Sequence, residues 1–259
     1  MSDRLSSTEA VVKRTGWVFN NRRGADVTTE DFVASGDVEV EVFRQLFGLG
    51  GPDDEQRSIV EIGAGIGRMT CALTRHYGSV YACDLDPGFL ERCREMVTRF
   101  GRPERLTTVE VADGRTLPIP PNVAHAALSY ITLQHCSKDD AHELAAEAVR
   151  VVRPGGRIAL NLRRRSKRDL ILLPAGAVVR SLYRVPKLAD VLARQQALTR
   201  LAWQISRFQP DELIGPLAPQ LTGIEVWTHG RHPMPTDIGT LRHDDGINSR
   251  HWWLVATVV

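Results

Sequence analysis

The chain has 259 residues, 42% of them hydrophobic and 25% charged, with a net charge of +2. That length can bury a sizeable core in one α/β domain with insertions, and that composition excludes wholesale disorder. No apolar run is long enough to cross a bilayer and MSDRLSSTEA lacks an apolar signal core, so the expected location is cytoplasmic.

Residues 1–55 precede the core. They carry Gly16 and Trp17, a polar run over 20–26, and then a predicted helix opened by Thr28 or Thr29 with Glu30 and Asp31 in its first turn. VEVEVF alternates like a strand, but Val38, Val42, Leu46 and Leu49 recur at helical spacing, and helix is the preferred reading.

The chain is organised around residues 58–86. A β-branched run ends at Glu61 and Ile62, a turn follows at Gly63, Gly65 and Gly67, and a helical stretch leads to a second apolar run closing at Asp84. In a strand-turn-helix-strand unit of this kind the glycines admit a ligand close to the backbone, and the acidic residue about twenty positions on reaches a ribose hydroxyl. The spacing is GxGxG, whereas dinucleotide sites use GxGxxG around a pyrophosphate. Glu61, two residues before the first glycine, would oppose a pyrophosphate and favour an ammonium. A cationic or zwitterionic nucleoside fits better than a nicotinamide or flavin, and S-adenosylmethionine has that chemistry.

Further on, Pro87 starts a helix that Gly101 ends. A third strand over 106–114 ends in Asp113, a fourth spans 124–130, a helix covers 138–152, and RPGG at 153–156 stops it before a fifth strand. Residues 170–217 read as helices divided by Pro174, Pro186 and Pro210, and two closing strands occupy 221–230 and 251–259. Between Arg163 and Arg207 eleven Lys or Arg face only Asp169 and Asp190, so this stretch carries +9 and the remainder −7. Such asymmetry marks either a solvated helix face or an anionic partner. Cys71, Cys83 and Cys93 read as small buried hydrophobes, with neither disulfides nor zinc expected.

The stretch from Glu61 to Asp84, with Asp113 and RPGG, resembles the class I (Rossmann-like) S-adenosylmethionine-dependent methyltransferases over residues 58–162. The resemblance implies a doubly wound, mostly parallel seven-stranded sheet whose last strand is antiparallel. It also implies an N-terminal helical cap over 1–55, with Ser35 and Gly36 matching a Ser-Gly pair before the last cap helix. A core over 56–162, a basic helical lid over 163–217 and a closing hairpin over 218–259 complete the expected layout. Carried over residue by residue, cofactor contacts fall to Glu61, Gly63, Ala64, Gly65, Asp84, Leu85, Asp113, Gly114 and Ser129, with Asp113 reading the adenine amino group. Asp86 suits a helix N-cap better than a ribose contact.

His135, just beyond the fourth strand where the acceptor meets the methyl group in this family, is the candidate base, since imidazole accepts protons near neutrality. Packing or capping of the following helix is its alternative. The loop over 231–250 and its flanks bring His229, Arg231, His232, Arg242, His243, Asp244, Asp245 and His251 toward the same face, as a substrate lid. A magnesium site on Asp244 or Asp245 is only weakly signalled, and no metal is assigned.

The motif after the fourth strand lacks the Asn/Asp-Pro-Pro-aromatic pattern of nucleic-acid amine methyltransferases and the Pro-Cys of cytosine enzymes. The expected partner is a small metabolite, anionic or saccharide, O-methylated at a hydroxyl. The alternatives are a nucleic-acid or membrane-surface enzyme using the basic insertion, and a protein that binds the cofactor without turnover.

Overall fold

The computed structural model describes residues 28–182, 185, 192, 195–203 and 205–259. Gly16, Trp17, the polar run over 20–26, Pro186 and Asp190 lie outside the described residues.

Helix α1 (Thr29–Leu46) begins where the Thr28 hydroxyl accepts the Asp31 N–H at 3.1 Å, the N-cap that the sequence announces. It runs unbroken through Ser35 and Gly36, so this pair does not precede the helix as expected. Ser35 instead returns its hydroxyl to the Phe32 carbonyl, and Gly36 is the contact point with the glycine-rich segment. A Cβ at Gly36 would lie 2.1 Å from the Arg68 carbonyl oxygen, so only glycine lets α1 seat there. Gly36→Ala should therefore lower stability by about 1–3 kcal/mol despite alanine's better helix propensity. Thermal denaturation checks this, and an unchanged midpoint would mean that α1 does not depend on this contact.

The glycine-rich turn joins β1 (Ser58–Ile62) to α2 (Thr70–His76), and β2 (Ser79–Asp84), α3 (Pro87–Phe100) and β3 (Leu106–Glu110) follow. Then β4 (Ala124–Ser129) and α4 (Lys138–Val151) lead into β5 (Val152–Arg163). RPGG does not stand between helix and strand. It is a bulge inside β5, where Ala124 faces Val152 but Ala126 already faces Arg157. Helices α5 (Asp169–Leu182), α6 (Gln196–Trp203) and α7 (Pro210–Leu217) form the insertion, and Pro174 lies within α5 where the sequence suggested a break. Strands β6 (Leu221–Thr228), β7 (Thr240–His243) and β8 (His251–Val258) close the chain.

The sheet has eight strands in the order β3-β2-β1-β4-β5-β8-β6-β7. Its pairings are parallel except for those of β8, which lies antiparallel between β5 and β6. The seven expected strands are present, and β7 adds an eighth, parallel to β6 at the edge, within the loop over 231–250. Successive residues of β1 enter different cores, Ile59 on the α1 and α2 side and Val60 and Ile62 on the α4 and α7 side, as a strand buried on both faces must. Chain order reverses between β1 and β4, so the carboxyl ends of β1, β2 and β4 open a crevice there. Among the described residues no helix is long and apolar enough to cross a membrane.

Candidate active site

The glycine-rich turn is wound against the end of β2. Gly63 and Ala64 donate their N–H groups to the Cys83 carbonyl at 2.8 and 2.9 Å, and Gly65 donates to Asp84 Oδ2 at 2.8 Å. Three successive amides are thus engaged internally and are not open to a pyrophosphate. Asp84 Oδ1 accepts the Asp86 N–H at 3.0 Å. Asp86 itself caps α3 through Gly88 and Phe89, leaving Asp84 as the ribose candidate. A carboxylate has about four acceptor positions, so Asp84 retains capacity for hydroxyl donors. Burial raises its pKa, partly offset by the amides it accepts.

Glu61 is 1% exposed and accepts the Thr70 hydroxyl at 2.6 Å. Burial pushes its pKa from 4.5 to about 7, against the pull of Thr70 and of the Arg68 charge. A buried carboxylate poised near neutrality, beside a turn whose first three amides are engaged, suits a cation.

These groups line a cavity of about 750 Å³. Leu85, Phe89, Val111 and Gly114 wall it on the β2 and β3 side, an apolar surface suited to a flat base, and Phe32, Arg68 and Met69 contribute from α1 and the segment leading into α2. Tyr130, Ile131, Thr132, His135, Cys136 and Ser137 wall it beyond β4, and Ile205 enters from the insertion. Gly63 has φ +82°, and a Cβ there would meet the Thr132 hydroxyl at 2.0 Å, so the turn and the β4 loop close on one another through glycine. Ile131 holds φ +59°, a strained position for a β-branched residue, with its N–H facing Asn161 Oδ1 at 3.4 Å.

His135 ends the short turn Leu133–His135, and its Nε2 lies 3.3 Å from the Gln134 side-chain nitrogen. An amide nitrogen only donates, so Nε2 faces that donor with its lone pair. The helix-capping alternative is taken by another residue, since Ser137 caps α4 through the Asp140 N–H. Burial pushes the Cys136 thiol up to about 11, which keeps it protonated and a poor nucleophile.

Eight of the residues singled out from sequence line the cavity together: Glu61, Gly63, Ala64, Gly65, Asp84, Leu85, Gly114 and His135. Two do not. Asp113 is exposed in an Asx-turn, its Oδ1 taking the Arg115 and Thr116 N–H groups at 2.8 Å, which holds its pKa at about 2. Ser129 is fully buried, tying β4 to β1 through the Ile62 carbonyl. The residues expected from the 231–250 loop do not line the cavity either. Arg242 pairs with Glu225, the His243 ring meets the Thr228 hydroxyl, and His229 lies 3.7 Å from Asp245. His251 turns Nδ1 to Asn161 Oδ1 at 2.9 Å, and burial, then Arg163 and His135, push its pKa down to about 3, so it is neutral. Among the described residues no three His, Cys, Asp or Glu are grouped to hold a metal.

Sequence reasoning missed Phe32, Arg68, Tyr130 and Ile205. Arg68 is the residue directly after the last glycine of the motif and pairs with Glu39 at 2.6 Å while Tyr130 lies 5.8 Å from its guanidinium. Its place beside the turn was visible, but its ion pair from α1 was not.

The sheet is Rossmann-like, and the carboxylates that line its crevice suit a ribose and a cation. Residues 60–160 match a family model described as a methyltransferase domain. Residues 60–160 thus carry a methyltransferase domain, and S-adenosylmethionine is the methyl donor that such a domain uses.

Solved structures share the fold at low identity. One from Methanococcus maripaludis, provisionally described as an S-adenosyl-L-methionine-dependent methyltransferase, is 14% identical with a TM-score of 0.53, covering 99% of this chain and 96% of its own. A provisionally described methyltransferase from Bacillus halodurans is 16% identical with a TM-score of 0.52, covering 73% and 70%. An O-methyltransferase family protein from Burkholderia thailandensis is 12% identical with a TM-score of 0.50, covering 98% and 65%. No curated protein matches the chain.

Proposed function

We propose that the enzyme O-methylates a hydroxyl of a small metabolite, a sugar or natural product, with His135 as the base. The supporting observation is the continuity of one cavity from the cofactor residues to the His135 imidazole. Its volume of about 750 Å³ lies in the range of small-molecule sites. When bound, S-adenosylmethionine supplies an electrophilic methyl on a sulfonium leaving group. Glu61 then faces the cationic end, Asp84 holds the ribose, and Leu85, Phe89 and Val111 receive the base. Tyr130, Ile131 and Thr132 shape the floor on which the acceptor lies, and Ile205 excludes water from the insertion side. Alignment supplies most of what such a displacement needs, and His135 Nε2 takes the hydroxyl proton once the hydroxyl displaces the Gln134 amide from it.

Methyl transfer from labelled cofactor to a panel of hydroxyl, amine and carbon acceptors tests this reading. Transfer confined to amines or carbon would remove it. For the cofactor half, Asp84→Ala should weaken S-adenosylhomocysteine binding by about 2 kcal/mol, the scale of hydrogen bonds to a charged group. Asp113→Ala should leave it nearly unchanged, because Asp113 lies outside the cavity lining. Isothermal calorimetry distinguishes the two, and equal losses would restore Asp113 to the site.

A further inference from the structure

The basic insertion is anchored at its foot and open on its outer side. Phe208 donates its N–H to the Arg163 carbonyl at 2.9 Å, and buried Asp169 pairs with buried Arg207 at 3.2 Å. Above that foot α5 packs on α6, with Gly176 and Val179 buried and Arg180 donating to the Ala202 carbonyl at 2.8 Å. The opposite side of α5 is apolar as well. Ile171, Val178 and Leu182 are 75%, 61% and 40% exposed, and with Pro174 they fall on one stripe of the helix; Leu170, 76% exposed, lies beside it. A helix apolar on both faces normally has a partner on both.

The charges beside this stripe select the partner. Residues 163–168 hold Arg163, Arg164, Arg165, Lys167 and Arg168, of which Arg165, Lys167 and Arg168 are exposed. The nearest carboxylate in sequence, Asp169, is turned inward onto Arg207. Cations at the foot of an uncharged apolar stripe match an interfacial helix, whose side chains enter the acyl boundary while Arg and Lys reach lipid phosphates. A nucleic acid would account for the cations and leave Ile171, Val178 and Leu182 without a role. A second copy would cover the apolar residues and bring its own cations to the interface.

We propose that the outer face of α5, with the basic run at its foot, docks the enzyme peripherally on an anionic lipid bilayer. α6, packed on the inner side of α5, ends two residues before Ile205 of the cavity wall, so the insertion that would dock also contributes to the site. The docking does not depend on which acceptor is methylated.

Flotation of the full-length protein with vesicles tests the proposal. The protein should float with phosphatidylcholine mixed with phosphatidylglycerol, remain below with phosphatidylcholine alone, and be released by salt. I171D and V178D should each reduce partition at least about tenfold, and R165E and R168E about fivefold or more each, while all four retain S-adenosylhomocysteine binding as evidence of folding. Failure to float with anionic vesicles, equal binding to neutral ones, or full binding by I171D and V178D would overturn it. So would salt-sensitive binding of duplex RNA in the absence of vesicle binding, or a dimer that I171D converts to monomer while vesicles are ignored.

Discussion

Replacing His135 with alanine should lower kcat by about 10²–10⁴, the usual contribution of a positioned general base. A neutral hydroxyl is a weak nucleophile, and its proton must leave as the new bond forms. Among the titratable groups that line the cavity, Glu61 is tied to Thr70, Asp84 is tied to the Gly65 and Asp86 amides, and Cys136 is held protonated. Asp86 caps α3 and Asp140 is held by Ser137 and Arg115, which leaves His135, beyond β4, as the base candidate. Cofactor affinity should change little, since the glycine-rich turn and Asp84 lie on other strands. The wild-type rate should fall toward acid pH as the imidazole takes up a proton, and the variant should lose that limb. His232→Ala serves as control, because His232 is exposed and does not line the cavity. A His135→Ala enzyme with unchanged kcat and pH profile would remove this residue as the base.

The second large effect belongs to Glu61. Its folded pKa of about 7 lies above the ordinary 4.5, so between these values the native state holds a proton that the unfolded chain has released. Stability of the apo protein therefore declines as pH rises from about 4.5 to 7, by on the order of 3 kcal/mol. Glu61→Gln removes the titration while keeping an acceptor for Thr70. It should flatten that decline and make the apo protein more stable at pH 8, seen in denaturation curves over the pH range. The same change should weaken binding of the cationic cofactor about 10- to 100-fold, the loss expected for a hydrogen bond to a charged group. Wild-type affinity should also tighten as pH rises through 7, because ionising Glu61 no longer requires proton release. Stability gained and affinity lost together would identify a site whose function opposes folding. A variant less stable at pH 8 than the wild type would show that the carboxylate is structural.

The sequence by itself determined the strand-turn-helix-strand unit and the helix limits that follow it, and the resemblance carried by those residues implied the antiparallel last strand. The unit and its helix limits follow from local rules: β-branched runs bounded by glycine, an acidic residue at the end of β2, and caps at Thr28 and Asp86 that act within three residues. Only the tertiary structure decided which matched residues share one space. Asp113 does not line the cavity and its carboxylate is taken by two neighbouring amides, and Ser129 does not because its buried hydroxyl is given to the Ile62 carbonyl of β1. Phe32 and Ile205 entered because α1 and the end of the insertion fold back over the crevice from well outside the motif. His251, grouped in sequence with the lid residues, became a half-buried neutral partner of Asn161 through a contact ninety positions apart, and its lowered pKa is a product of those surroundings. Close contacts between distant segments are set by packing, and no periodicity or spacing along the chain encodes them.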